Sequence, residues 1–280
     1  MRFVELPKDP RLFQIAVLGS LLLYGVLELS FTLPPIALLA TPLFACVVER
    51  LTFRFRAPPG KSRPPYESSI IASLSTMLLL RSTEAWVYAV SVSFAVATKA
   101  FIRVRGRHFL NPTNAGVLFA ASFLPGWVAS GQWGHNLVLV FALLSGGLLV
   151  LSRAGRLDSA FAFLLGLVAA QLTRIWVFGY RPATLTHLFE NGAVWLFALY
   201  MITDPRTTPS ARSARVVHAI FVAFLALGMV QFFYKRDAIL WALLMSAPLI
   251  PIFDFVTQKL AEPSSSKGDS SNASSAPVHA

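Results

Sequence analysis

A chain of 280 residues that is 55% hydrophobic and only 13% charged, with a mean hydropathy of +0.63, cannot cover itself with a wetted surface, since soluble domains carry about 25% charged residues. A cytosolic enzyme is excluded and an integral membrane protein is indicated. The net charge of +11 does not call for nucleic acid, because the basic residues sit in short clusters between apolar runs, the pattern that orients spans in a bilayer.

In chain order, apolar runs bounded by charge or by Pro and Gly fall at 13–31, 33–48, 68–80, 85–101, 114–124, 135–152, 157–178, 192–202, 215–233 and 238–252. A full crossing needs about 20 residues. The runs 68–80, 114–124 and 192–202 fall short of that, which marks broken or re-entrant helices whose freed backbone groups must meet protein or a water-lined cavity. The third and eighth runs are both short and each precedes a longer one. The sequence therefore predicts an all-α integral membrane fold of about ten transmembrane or re-entrant helices in a 5+5 inverted repeat. Repeat 1 spans about 12–124 and repeat 2 about 135–254, within one polytopic domain at 1–261. The Ser-rich stretch 262–280 is too polar to form a core and is expected to be disordered.

If all ten runs cross, alternate connections divide the 24 Lys and Arg residues 19 to 5. Only Arg81, Arg174, Arg181, Lys235 and Arg236 fall on the sparse side. That bias predicts a multi-pass protein of a bacterial-type inner membrane with both termini in the cytoplasm. The N-terminal run lacks a small-residue cleavage site and reads as a retained span. The single cysteine, Cys46, lies in an apolar run and reads as a small buried residue; it cannot build a disulfide or a metal cage within one chain.

Hydrolase and nucleotidyl motifs are absent, no metal site is expected, and no catalytic residue can be assigned. What stands out is polar residues beside prolines at the mouths of short runs: Asn111-Pro112-Thr113-Asn114-Ala115-Gly116 and Thr203-Asp204-Pro205-Arg206-Thr207-Thr208-Pro209. Asn111 and Asn114 suit helix capping, with Pro112 in the first turn. They equally suit a helix N-terminus that faces a cavity and holds an anionic or carbonyl-bearing ligand. Arg103, Arg105, Arg107 and His108 just before them set topology, or offer donors to a phosphate or quinone headgroup. Asp204 is a carboxylate directly after an apolar run, costly unless used; the alternative is a local turn with Arg206 or the hydroxyls of Thr203, Thr207 and Thr208. Asp254 reads as a solvated helix end. Arg174 is expected to snorkel or to pair with Glu190, and Trp127 and Trp133 to anchor at the interface. Asn111, Asn114, Thr203, Asp204 and Thr207 are the candidate ligand-binding residues. The pairs Phe119 with Phe123 and Phe197 with Tyr200 offer a slot for a flat ring.

The Asn111 to Gly116 turn, the run 68–80, the string Tyr200-Met201-Ile202-Thr203-Asp204-Pro205 and the stretch 248–254 resemble, in order and spacing, the NqrB/RnfD family. Those proteins are membrane subunits of the sodium-pumping quinone reductase and of the Rnf electron-transport complex. The resemblance implies a ten-helix inverted repeat, electron transfer coupled to ion transport, and partner redox subunits in the membrane. Family members in the pumping complexes attach FMN by a phosphoester to the threonine of a Ser/Thr-Gly-Ala-Thr motif after the Asn-Pro segment. Here the nearest approach is Ser130-Gly131-Gln132-Trp133, whose Trp133 cannot accept the phosphate. Covalent FMN is therefore not expected; non-covalent FMN or riboflavin, or a quinone, is. The other reading is a channel or transporter for a small solute or ion on the same scaffold.

Overall fold

The structure, a computed structural model, describes residues 9–57, 62–129 and 137–261. The tail at 262–280, Trp133 and the 130–133 stretch lie outside the described residues, as does part of the proline-rich loop. In chain order come α1 (Pro10–Leu27), α2 (Pro35–Arg56), α3 (Tyr66–Leu79), strand β1 (Leu80–Arg81), α4 (Ala85–Phe101), and the hairpin β2 (Arg103–Val104) and β3 (Arg107–His108). Then follow α5 (Pro112–Phe123), β4 (Trp127–Val128), α6 (Leu137–Ala154), α7 (Leu157–Phe178), α8 (Ala183–Phe189) and α9 (Gly192–Leu196), which continues as a π-helix over Phe197–Met201. The last three are α10 (Arg212–Phe233), α11 (Ala238–Ser246) and α12 (Leu249–Ala261).

Each apolar run of the sequence carries a helix, and local chemistry sets the ends. Asp9, Asn111 and Asn191 accept backbone N–H groups at the starts of α1, α5 and α9, and Pro10, Pro35 and Pro112 occupy first turns where their missing donor costs nothing. Gly179 closes α7 in the left-handed conformation at φ 68°. Helices α2, α7 and α10 are long and apolar enough to cross a membrane alone, and α11 with α12 forms a fourth such unit bent by 45°. Outward faces stay apolar, with Leu39 79% and Trp176 88% exposed, the arrangement lipid requires. This is a multi-pass all-α membrane fold.

Once helices lie in lipid, close packing rather than water exclusion holds them together, and small residues allow it. A Cβ at Gly116 would sit 2.5 Å from the Ser91 carbonyl oxygen, so α5 approaches α4 only because that residue is glycine. Gly166 brings α7 to within 3.2 Å of the Ile220 Cα on α10 by the same measure. Helix α2 also packs on α4, and α1 on α3; farther along the chain α6 lies on α9 and its π-helix, and α10 on α11. The remaining contacts α1 with α6 and α5 with α11 join the earlier helices to the later ones.

Several expectations need correction. The last apolar run, 238–252, is not one helix ending before Asp254: α11 stops at Ser246 and α12 runs from Leu249 to Ala261, so Asp254 lies within α12, and α8 forms in a connection that hydropathy leaves unassigned. Arg174 does not pair with Glu190. It donates to Gln231 at 3.1 Å and Gln171 at 2.9 Å, while Glu190 meets His187 at 2.7 Å. Cys46 is half-exposed rather than buried.

Candidate functional site

The break in α9 begins the site. From Phe197 onward the helix widens to a π-turn, with the Ile202 N–H donating to the Phe197 carbonyl five residues back. Single π-turns commonly mark functional positions, because they free and redirect carbonyls. The Thr203 hydroxyl bonds the Leu199 carbonyl at 2.8 Å, and the chain leaves the helix at Asp204. The Met201 carbonyl then accepts the side-chain amide of Asn111 at 3.3 Å. One residue thus caps α5, through the Asn114 N–H at 3.1 Å, and ties that helix start to the break in α9.

Around this junction lies a cavity of about 660 Å³, within the range of small-molecule sites. Asn111, Thr203 and Asp204 line it. Asn114 does not. It sits one turn deeper and donates to the Leu240 carbonyl of α11 at 2.9 Å. Thr207 is buried beneath the turn, its N–H bonded to the Asp204 carbonyl at 3.1 Å, and does not line the cavity either. Of the aromatic pairs, only Tyr200 reaches the cavity; Phe119 instead stacks on Phe94 at 4.2 Å, and Phe197 packs on Phe163 at 4.9 Å.

Asp204 combines both of its sequence readings. Its Oδ1 accepts the Arg206 N–H at 3.0 Å and its carbonyl accepts the Thr208 hydroxyl at 2.9 Å, making a local turn. Asp204 nevertheless lines the cavity, and burial pushes its pKa above the ordinary carboxylate value, offset in part by the Arg206 N–H.

Two further groups complete the wall: a buried pair with no signal in the sequence, and Arg107, read there only as topogenic charge or a headgroup donor. Glu49 of α2 and Lys99 of α4, 6% and 7% exposed, form a buried ion pair on the cavity wall. The Ser69 hydroxyl donates to Glu49 at 2.6 Å, supplying the extra hydrogen bond a buried carboxylate needs. Arg107 is a clamp. From the β2–β3 hairpin its guanidinium reaches the carbonyls of Pro205 and Arg206, both at 2.8 Å, the Thr208 carbonyl, and Asp254 at 3.0 Å. Asp254, far from being a solvated helix end, also accepts the Ser210 N–H at 2.6 Å. The hairpin that presents Arg107 turns through Arg105 and Gly106, both at positive φ (51° and 78°), as a two-residue turn matching strand twist requires.

Residues 121–261, half of the chain, match the NQR2, RnfD, RnfE family. The chain belongs to that family. The match includes the π-helix, the Thr203-Asp204-Pro205 turn and α12, and begins after the Asn111 turn. Over 134 residues, 46% of the chain, it is 30% identical to the RnfD protein of the ion-translocating oxidoreductase complex of Psychromonas ingrahamii, covering 37% of that protein. It is 28% identical over 119 residues, 42% of the chain, to the corresponding RnfD protein of Vibrio cholerae serotype O1, covering 34% of it. The matched stretch therefore spans little more than a third of these relatives. In family terms, the cavity lies where the matched half meets the earlier helices.

Proposed function

We propose that this chain is the membrane electron-transfer component of an ion-translocating oxidoreductase complex and that it holds a flavin or a quinone without a covalent link in the 660 Å³ cavity. One observation carries the reading: Asn111, Thr203 and Asp204, from two separate interrupted segments, line one cavity in a member of this family. The wall fits such a group. The Tyr200 ring and the apolar Ile71, Ala72, Leu151 and Leu199 side chains offer a slot, and Asn111, Thr203 and the cationic rim offer donors. A bound flavin or quinone would supply the redox chemistry. The chain's own part is to bind and orient it, to keep water out and to hold Asp204 close to the cavity, where a carboxylate of raised pKa keeps its proton to higher pH than a free one.

Two supports bear on architecture. The packing order α1 on α3, α2 on α4, α4 on α5 recurs as α6 on the π-helix, α7 on α10, α10 on α11, as a 5+5 inverted repeat would produce. The cavity-lining cations Arg11, Arg56, Lys99, Arg103, Arg107 and Arg206 all come from connections assigned to the Lys- and Arg-rich side, which supports a cavity opening to the cytoplasm with both termini on that side.

The test is gentle detergent extraction, a visible spectrum, and acid precipitation. A flavin spectrum whose chromophore leaves with the supernatant, or a co-purifying quinone, supports the reading; flavin retained on the denatured chain overturns the non-covalent link. Neither chromophore, together with solute flux in liposomes, would establish the channel instead. Single cysteines at Ser62 and Gly131 test the topology, which fails if both are modified from the same side.

A further inference from the structure

The cavity carries more positive charge than its acids neutralise. Lys99 is taken up by Glu49, Arg107 by Asp254 and the backbone carbonyls, and Arg11 by Asp9 at 2.8 Å. Arg103 spends its Nε on the Lys99 carbonyl at 2.8 Å and keeps its terminal nitrogens. The exposed Arg206 side chain makes no hydrogen bond or ion pair among the described residues, although it lines the cavity. Among the described residues Asp204 is the one remaining carboxylate on the wall, and one of its oxygens already accepts a backbone N–H.

His108 is the second observation. It is 5% exposed, lines the cavity, and its ring makes no hydrogen bond among the described residues. A buried imidazole without a partner costs free energy unless something in the cavity meets it. Burial first, then the charges of Arg206, Lys99, Arg103 and Arg107, hold its pKa down to about 3, so the ring is neutral and carries one N–H donor and one acceptor nitrogen. The four cations that add to that shift also attract an anion.

We propose that His108, Arg103 and Arg206 form an oxyanion subsite at the cavity mouth, and that the ligand held there carries a phosphate ester, supplied by a flavin mononucleotide or by the headgroup of an anionic lipid. The proposal rests on the cavity being the ligand site, as above, and adds the chemistry of one end of its occupant. Arginine is the residue best shaped for phosphate, and two guanidinium groups with an imidazole N–H give donors on several sides of it.

Protein in zwitterionic detergent is titrated with FMN and with riboflavin, following flavin fluorescence. The same protein in phosphatidylcholine nanodiscs, with and without phosphatidylglycerol, is then examined for retained lipid by native mass spectrometry. Arg206→Gln, at an exposed position, and His108→Gln are compared with wild type, with elution volume confirming the fold. FMN bound about tenfold or more tighter than riboflavin, the advantage shrinking below about twofold in either variant, supports the subsite with a soluble cofactor as the source. Selective retention of phosphatidylglycerol by wild type, lost in Arg206→Gln, supports it with a lipid as the source. Equal affinity for the two flavins with no selective lipid overturns the subsite and leaves the flavin reading standing. Lipid retention without binding of either flavin does the reverse, keeping the subsite and removing the flavin.

Discussion

Helix α3 and the α9 π-helix both stop short of a full crossing, yet their ends are treated in opposite ways. Past α3 the chain pairs β1 with β4, Leu80 opposite Val128 and Arg81 opposite Trp127, and the Ser82 hydroxyl seals the turn on the Pro125 carbonyl at 2.7 Å. Arg81, fully buried, donates to the Met77 and Leu80 carbonyls at 2.6 and 2.7 Å and lies 4.2 Å from the Phe31 ring centre. At the other break, Thr203 and Asp204 emerge beside a cavity rimmed by charge. Both ends meet the rule that freed backbone groups in a membrane need partners. The first finds them in protein and is closed; the second leaves part of its polar surface facing space that a ligand can fill.

Changes at the two ends should therefore separate stability from ligand binding. The largest effect is expected for Lys99→Met, which strands Glu49 in a buried site and should cost about 3–5 kcal/mol. Adding Glu49→Gln should recover much of it, as thermal melts in detergent would show; no recovery would mean that the pair is not coupled. Arg81→Met should cost about 2–3 kcal/mol by leaving two carbonyls without a donor. Because its end is closed, bound chromophore per mole of folded protein should not change, and a loss of chromophore would break the comparison. Arg107→Ala, at a half-exposed clamp, should cost about 1–3 kcal/mol and also loosen the 203–208 turn. Arg107→Lys should not restore it, since a point charge cannot serve several carbonyls at once.

The smallest stability effect belongs to Asp204→Asn. Its folded pKa is raised, so the folded state holds the proton more tightly than the unfolded chain, and the associated stability is present at low pH and lost as pH rises from 3.8 through the raised value. The Asn variant should lack that decline and be as stable as wild type or more so at neutral pH, while losing ligand binding or turnover. His108 has the opposite sign. With its folded pKa at about 3 against 6.5 unfolded, stability falls as pH drops through that window, and His108→Gln should flatten the fall in a pH series of melts.

Much of the site was legible because its signals are local. Asn111 followed by Pro112 is a helix start by chemistry alone, and a carboxylate at 204 just past an apolar run advertises its own cost. Asn114 and Thr207 carry the same polar signal but point away from the cavity, since sequence gives a residue's position along a helix more readily than the neighbour its side chain will meet. Glu49 and Lys99 escape notice as a pair because each stands alone at the charged end of its own apolar run, 50 residues apart. His108 reads with its arginine neighbours as topology or as a donor to a headgroup, without the cavity wall it shares with Asp204.

The sequence by itself determined the membrane class, the positions of the apolar helices and their caps, the short third, fifth and eighth runs, and the turns that hold Asn111 and Asp204. Hydropathy and capping act over one or a few turns, so a linear reading captures them. Only the tertiary structure decided that Glu49 meets Lys99 50 residues away, that Arg107 reaches Asp254 across 147, and that Asn114 turns to α11 while Asn111 opens on the cavity. Those outcomes depend on which helix faces pack together, and packing in lipid is settled by shape and by the pairing of scarce polar groups over long separations, neither of which leaves a periodic trace along the chain.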